Sequence, residues 1–193
     1  MKKKNVLAGI LTLCLSIFLV FTLSFEPSAL TKDRKVALQK KLAPLSREEQ
    51  EGLKEFFDHH FFFSDFAYTL FGTKPMSIGR LDPTEKAKKG WEAWEKIHTS
   101  FDSKEYIIRK YTCNDHEFIL VANVKKIEQV YRDHQIWFDQ ELKDQMTSDT
   151  LILCLREDGP LFQALIHDHL LVGILLGYGP HNAELFADRK SVV

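Results

Sequence analysis

The sequence predicts an α+β protein: a mostly helical domain with a small antiparallel β-hairpin or three-stranded sheet, preceded by an N-terminal transmembrane or signal helix. Three observations carry this. Residues 6–25, VLAGILTLCLSIFLVFTLSF, hold no charge and follow Lys2, Lys3 and Lys4. Most of the chain beyond them places its apolar residues three and four apart, the spacing of a helix with one buried side. One stretch, residues 105–122, instead strings β-branched and aromatic residues around Asn114-Asp115, the composition of a tight hairpin.

The N-terminal run comes first. A helix of this length rises about 30 Å and matches the hydrocarbon core of a bilayer. It is longer than the roughly 7–15 apolar residues usual in a cleaved signal. Residues 1–26 therefore read as a signal-anchor or a signal peptide, with Thr22-Leu23-Ser24 offering small residues for cleavage. Pro27-Ser28-Ala29 suits cleavage poorly because of its proline. Cys14 is no lipid anchor, since bulky Leu13 precedes it and the apolar run continues past it. Residues 27–45 form a basic juxtamembrane linker or helix that stops near Pro44. This stretch either touches anionic headgroups or presents a solvated helix face. Orientation is a contest of charges: Lys32, Arg34, Lys35, Lys40 and Lys41 oppose Lys2, Lys3 and Lys4 across the run. The latter lie nearer the apolar core, which favours a single-pass protein with its domain exported.

Composition narrows the classes further. The chain has 26 basic and 27 acidic residues, and three of the basic ones precede the apolar run, so the rest is mildly acidic. No basic field suggests nucleic acid. Residues 46–193 are long enough for one globular domain with a proper core, and the chain's fifteen phenylalanines, all but three of them here, predict that aromatic packing fills it. Outside the apolar run stand Cys113 and Cys154. In an exported domain they are able to pair, and in a reducing compartment they are buried thiols.

Along the domain, Ser46-Arg47-Glu48-Glu49 is a capping box that opens a helix. Leu53, Phe56, Phe57, His60 and Phe61 form its apolar stripe, where His60 reads first as a core histidine. Ser64 is placed to cap a short helix ending at Phe71, with Gly72 as its stop. Residues 74–81, KPMSIGRL, alternate weakly and suit an edge strand with Pro75 near its start. Asp82-Pro83 then predicts an N-cap and first helical residue, with Glu85 closing the capping box. That helix runs to about Phe101 on a stripe of Ala87, Trp91, Trp94, His98 and Phe101. Glu85–Lys89 and Glu92–Lys96 are its expected ion pairs. After the hairpin, Val124, Ile127, Tyr131, His134 and Phe138 restore the helical period as far as Leu142. The remainder is apolar and helical, punctuated by Gly159-Pro160 and Gly177-Tyr178-Gly179-Pro180.

Two segments, FAYTLFGTKP from Phe66 and LLVGILLGYGPHNAELF from Leu170, resemble a family of hypothetical proteins from chlamydia-related bacteria. The similarity extends over most of the exported part. It implies a bacterial protein of the cell envelope, and it implies no activity and no site residues.

Local motifs give little chemistry. Gly177-x-Gly179 mimics the start of a dinucleotide loop, but a Rossmann unit needs a further strand and an acidic residue about twenty positions on. A helix-ending turn is the expected reading, and no cofactor is expected. His167-Asp168-His169 is the candidate metal site. On a strand its two imidazoles would share one side and could ligate zinc. On a helix they would diverge by roughly 200°. No G-x-S-x-G is present, and neither Cys113 nor Cys154 sits where a thiolate would form. No glutamate, Glu117 and Glu141 included, has the apolar surroundings that a general acid needs. The expected function is a membrane-anchored envelope protein acting as a non-catalytic binding or interaction module, with the membrane and a protein as partners. The alternative is a metal-dependent hydrolase using His167, Asp168 and His169.

Overall fold

Backbone capping decides where most helices begin in the computed structural model of the chain, which describes residues 32–82, 84–101, 104–142 and 146–191. The apolar run 6–25 lies outside the described residues, and among those described no helix is long and apolar enough to cross a membrane. In chain order the helices are α1 (Lys32–Leu42), α2 (Arg47–Phe63), α3 (Phe66–Leu70), α4 (Glu85–Ile97), α5 (Val124–Leu142), α6 (Ser148–Arg156), α7 (Pro160–His167), α8 (His169–Leu175) and α9 (Pro180–Ser191). The strands are β1 (Met76–Arg80), β2 (Tyr106–Cys113) and β3 (His116–Asn123). The protein is thus mostly helical with one three-stranded antiparallel sheet. It divides into two compact units, Met1–Ser64 with Arg80–Ser103 and Asp65–Gly79 with Lys104–Val193. Residues 46–193 contribute to both.

In the first unit, both halves of the capping box form. The Glu49 backbone N–H donates to Ser46 Oγ at 3.2 Å, and the Ser46 N–H donates to Glu49 Oε2 at 2.6 Å. The helix that follows buries Gly52, Leu53, Phe56, Phe57 and His60. That side meets α4, whose Trp91 and Trp94 rings stand 5.8 Å from Phe56 and 5.4 Å from Phe57. Of the two glycines at the crossing, Gly90 is the one that lets the backbones approach. A Cβ on Gly90 would lie 2.6 Å from Phe56 Cβ and 2.7 Å from the Gly52 carbonyl oxygen, whereas a Cβ on Gly52 would meet nothing nearer than 3.7 Å.

Three local expectations for α4 are corrected. Its N-cap is Thr84, whose hydroxyl accepts from Ala87 N–H, while Asp82 accepts the Thr84 N–H at 2.9 Å one step upstream. Asp82 therefore shapes the approach to the helix rather than its first turn. The α-helix ends at Ile97 and tightens into a 3₁₀ turn, His98–Phe101. Ile97 replaces exposed His98 on the buried stripe. Finally, Lys89 and Lys96 reach across to Glu48 and Glu49 instead of pairing along their own helix. The Lys96 ammonium, then the Ser46 backbone and hydroxyl, hold the Glu49 carboxyl down at about 2.

The second unit is built on the hairpin. Asn114 and Asp115 take positive φ, 49° and 62°, as a two-residue hairpin turn requires. The register runs from Tyr106↔Asn123 to Cys113↔His116, and the strand order is β1-β3-β2. Leu120 and Ala122 face the cluster formed with α5 to α9, and the alternate residues Ile119 and Val121 are also fully buried. Both sides of β3 are therefore covered. Ser64 is the C-cap of α2, and left-handed Asp65 precedes α3 without a side-chain cap. Helix α5 holds its expected stripe through a kink at His134. Gly177, with φ 85°, ends α8: its N–H donates to Ile174 O, and the Tyr178 N–H donates to Gly173 O. This pair of bonds is a Schellman cap. Cys113 and Cys154 are both free thiols.

The α2–α4 crossing makes a discriminating prediction. Gly90→Ala is expected to destabilise the first unit by about 1–3 kcal/mol through overpacking, despite gaining up to about 1 kcal/mol of helix propensity. Gly52→Ala should keep that propensity gain and be neutral or stabilising. Urea unfolding followed by tryptophan fluorescence measures both, and equal effects would refute the crossing.

Candidate functional site

A cleft of about 160 Å³ opens in the first unit between the C-terminal half of α2 and the start of α4. The opposite run of the pairings Glu49–Lys96 and Glu55–Lys86 brings those two ends together. From α2 come Glu55, Phe56, His59 and His60, and from the α4 entry come Asp82, Thr84, Lys86 and Ala87. Their polar groups are largely committed. Lys86 pairs with Glu55, and Asp82 and Thr84 bond to backbone at the helix start.

His60 is the least ordinary member. It is buried, its ring lies 4.6 Å from that of Phe56, and its Nδ1 shares a 3.0 Å hydrogen bond with Ser64 Oγ. Burial first, then the neighbouring His59, holds the imidazole down at about 4. At neutral pH it is an uncharged ring on the floor of the cleft. A general acid or base works best with a pKa near the working pH, and His60 is tuned away from it.

Beyond the cleft, α2 carries two consecutive aromatic rings into solvent. Phe62 is 83% exposed and Phe63 78%, and the Phe63 ring stands 5.0 Å from that of His59. Sequence reasoning passed over both. Yet Phe63 lies seven residues from Phe56 and so continues the buried stripe. It overruns because α4 begins opposite Glu55 and Phe56, about two turns short of Phe63. The continuation of the stripe to Phe63 is legible in the sequence, and the point where its partner helix stops is not.

The expected metal candidates take other positions. His167 closes α7, His169 opens α8, and Asp168 sits between them at φ −83°, ψ 102°. The Asp168 carboxylate accepts the Leu171 N–H at 2.9 Å, so it serves as an N-cap. Among the described residues no three His, Cys, Asp or Glu side chains gather as a metal site. In the second unit, Arg109 reaches from β2 to Asp158, its guanidinium 4.2 Å above the Phe162 ring, and its Nη1 is buried without a hydrogen-bond partner. Nearby Cys154 has its thiol pushed up to about 11, by burial and against the pull of Arg109. It stays protonated at neutral pH. Glu117 pairs with Lys110 across the hairpin, and Glu141 is exposed on α5.

Comparison with family models, with curated proteins and with solved structures finds no match to this chain.

The depressed His60 makes stability depend on pH. As pH falls below 6.5 the unfolded chain takes up a proton that the folded ring resists until about 4. Stability is thus fully present above 6.5 and is lost progressively toward 4, by on the order of 3 kcal/mol. Urea midpoints at pH 7 and pH 4.5 test this. His60→Gln, which cannot take the proton, should shrink the difference; an undiminished loss would assign the effect elsewhere.

Proposed function

We propose that the chain is a membrane-tethered module of a bacterial cell envelope, anchored through residues 6–25. Its exported part binds a protein partner at the far end of α2 and catalyses no reaction. The observation that carries the binding reading is the exposed Phe62–Phe63 pair beside the cleft. Contiguous exposed aromatics are costly to keep in water and mark contact surfaces, and aromatic anchors beside a pocket suit the centre of a protein interface. The non-catalytic reading is supported by the cleft's own groups: a paired lysine and glutamate, an aspartate bonded to the backbone ahead of the helix, and a histidine held neutral.

A photo-crosslinking residue placed at Phe62 or Phe63 in the producing cell is the direct test. A discrete protein adduct is expected from either position, and none from the exposed Gln135 on α5. No adduct at Phe62 or Phe63 would sink the reading. Metal analysis separates the hydrolase alternative. Stoichiometric zinc on the purified chain, lost on His167→Ala, would overturn the binding module in favour of that enzyme.

A further inference from the structure

We infer that α1 is a second membrane contact, an electrostatic one, in which its outward stripe lies against anionic lipid headgroups. This rests on the proposed tether through residues 6–25.

Helix α1 has two distinct sides. Leu38 and Leu42 are buried, at 4% and 6% exposure, and dock the helix on the first unit. Its C-terminal end is fastened further: the Gln50 side-chain amide donates to Leu42 O at 3.3 Å and Leu45 O at 3.1 Å, and Lys41 Nζ stands 4.5 Å from the Phe101 ring centroid. The helix is therefore a fixed part of the unit. On the other side Val36 is 57% exposed, and Ala37 and Lys40 are exposed with it. Val36 and Lys40 lie one turn apart on the same stripe, roughly 200° from Leu38 in the case of Val36. An outward valine followed by lysine suits an interfacial position, with the apolar group at the headgroup boundary and the ammonium among phosphates.

Chain length and charge together identify the occupant. Six residues, 26–31, separate the apolar run from α1, so the first turn of α1 starts within about 25 Å of the run even if they are fully extended. The helix carries Lys32, Arg34, Lys35, Lys40 and Lys41 against Asp33 alone, while the chain as a whole is slightly acidic. Basic residues concentrated next to a membrane run fit the negative surface potential of anionic lipids, which decays within a Debye length. Docked in this way, α1 would fix how the first unit stands on the bilayer, because Leu38 and Leu42 hold it to that unit.

Hydrogen exchange of the full chain in nanodiscs tests the inference. Discs of phosphatidylcholine are compared with discs that also contain phosphatidylglycerol. Slower exchange of α1 amides is expected in the anionic discs, with α2 unchanged, and high salt should abolish the difference. Lys40→Gln should weaken the protection by up to about fivefold, the contribution of one basic residue at an anionic surface. Extraction of membranes with alkaline carbonate distinguishes the two levels of failure. A chain stripped off by carbonate overturns the tether and the docking with it. A chain that is retained, but whose α1 exchanges identically in both discs, overturns the docking alone.

Discussion

The close approach of α2 and α4 at Gly52 and Gly90 is the constraint on which the first unit and its cleft depend. With a side chain at Gly90 the helices would have to separate, since the added carbon would collide with both Phe56 and the Gly52 backbone. Close contact lets Phe56 and Phe57 meet Trp91 and Trp94, and each such aromatic pair contributes about 0.5–1.5 kcal/mol beyond its buried area. It also brings Lys86, Lys89 and Lys96 within reach of Glu55, Glu48 and Glu49. These pairs are largely exposed and contribute little stability. Their effect is on register: three charge pairs along one seam penalise any sliding of α4 against α2. Register, in turn, decides that α4 begins opposite Glu55, leaving Phe62 and Phe63 beyond its end.

Much of this architecture was legible in the residues, where local chemistry dominates. The Ser46 capping box, the Asn114-Asp115 hairpin and the Gly177 turn each rest on interactions within a few positions, and each appears where the pattern places it. Misreadings cluster where two neighbouring residues compete for one role. Asp82 and Thr84 both accept backbone N–H groups, and only their positions relative to the first helical turn separate them. Ser64 likewise had two helices to serve, and it closes the earlier one. Lys89 and Lys96 had acidic partners on their own helix, but pairs across helices depend on a crossing that no local pattern reports. Nor does any pattern mark the passages between the two units.

The candidate site was less legible than the fold. His60 was readable as a core histidine because it stands on the stripe of Leu53, Phe56 and Phe57. Its place on the floor of a cleft depends on where α4 starts, which is tertiary information. Phe62 and Phe63 were passed over, and their exposure follows only from the shorter partner helix.

The residues that looked most like chemistry turn out to serve the backbone. Asp168, at the centre of a histidine pair, gives its carboxylate to an N–H at the start of α8. A helix start leaves N–H groups without partners, and a carboxylate one turn away satisfies one at once, with no ligand required. Gly177 answers the same demand at the other end of that helix, where carbonyl groups lack donors. Arg109 differs. Its Nη1 is buried and unpaired, a loss that elsewhere in proteins costs about 1–3 kcal/mol or more for a charged group. Asp158 on one side and the face of Phe162 on the other offset part of that cost. Asp158 lies in the connection from α6 to α7 and Phe162 in the first turn after it, so the arginine holds that connection against β2. Its geometry is therefore explained by tying helices to the sheet, and it places no reactive group in the unit's interior.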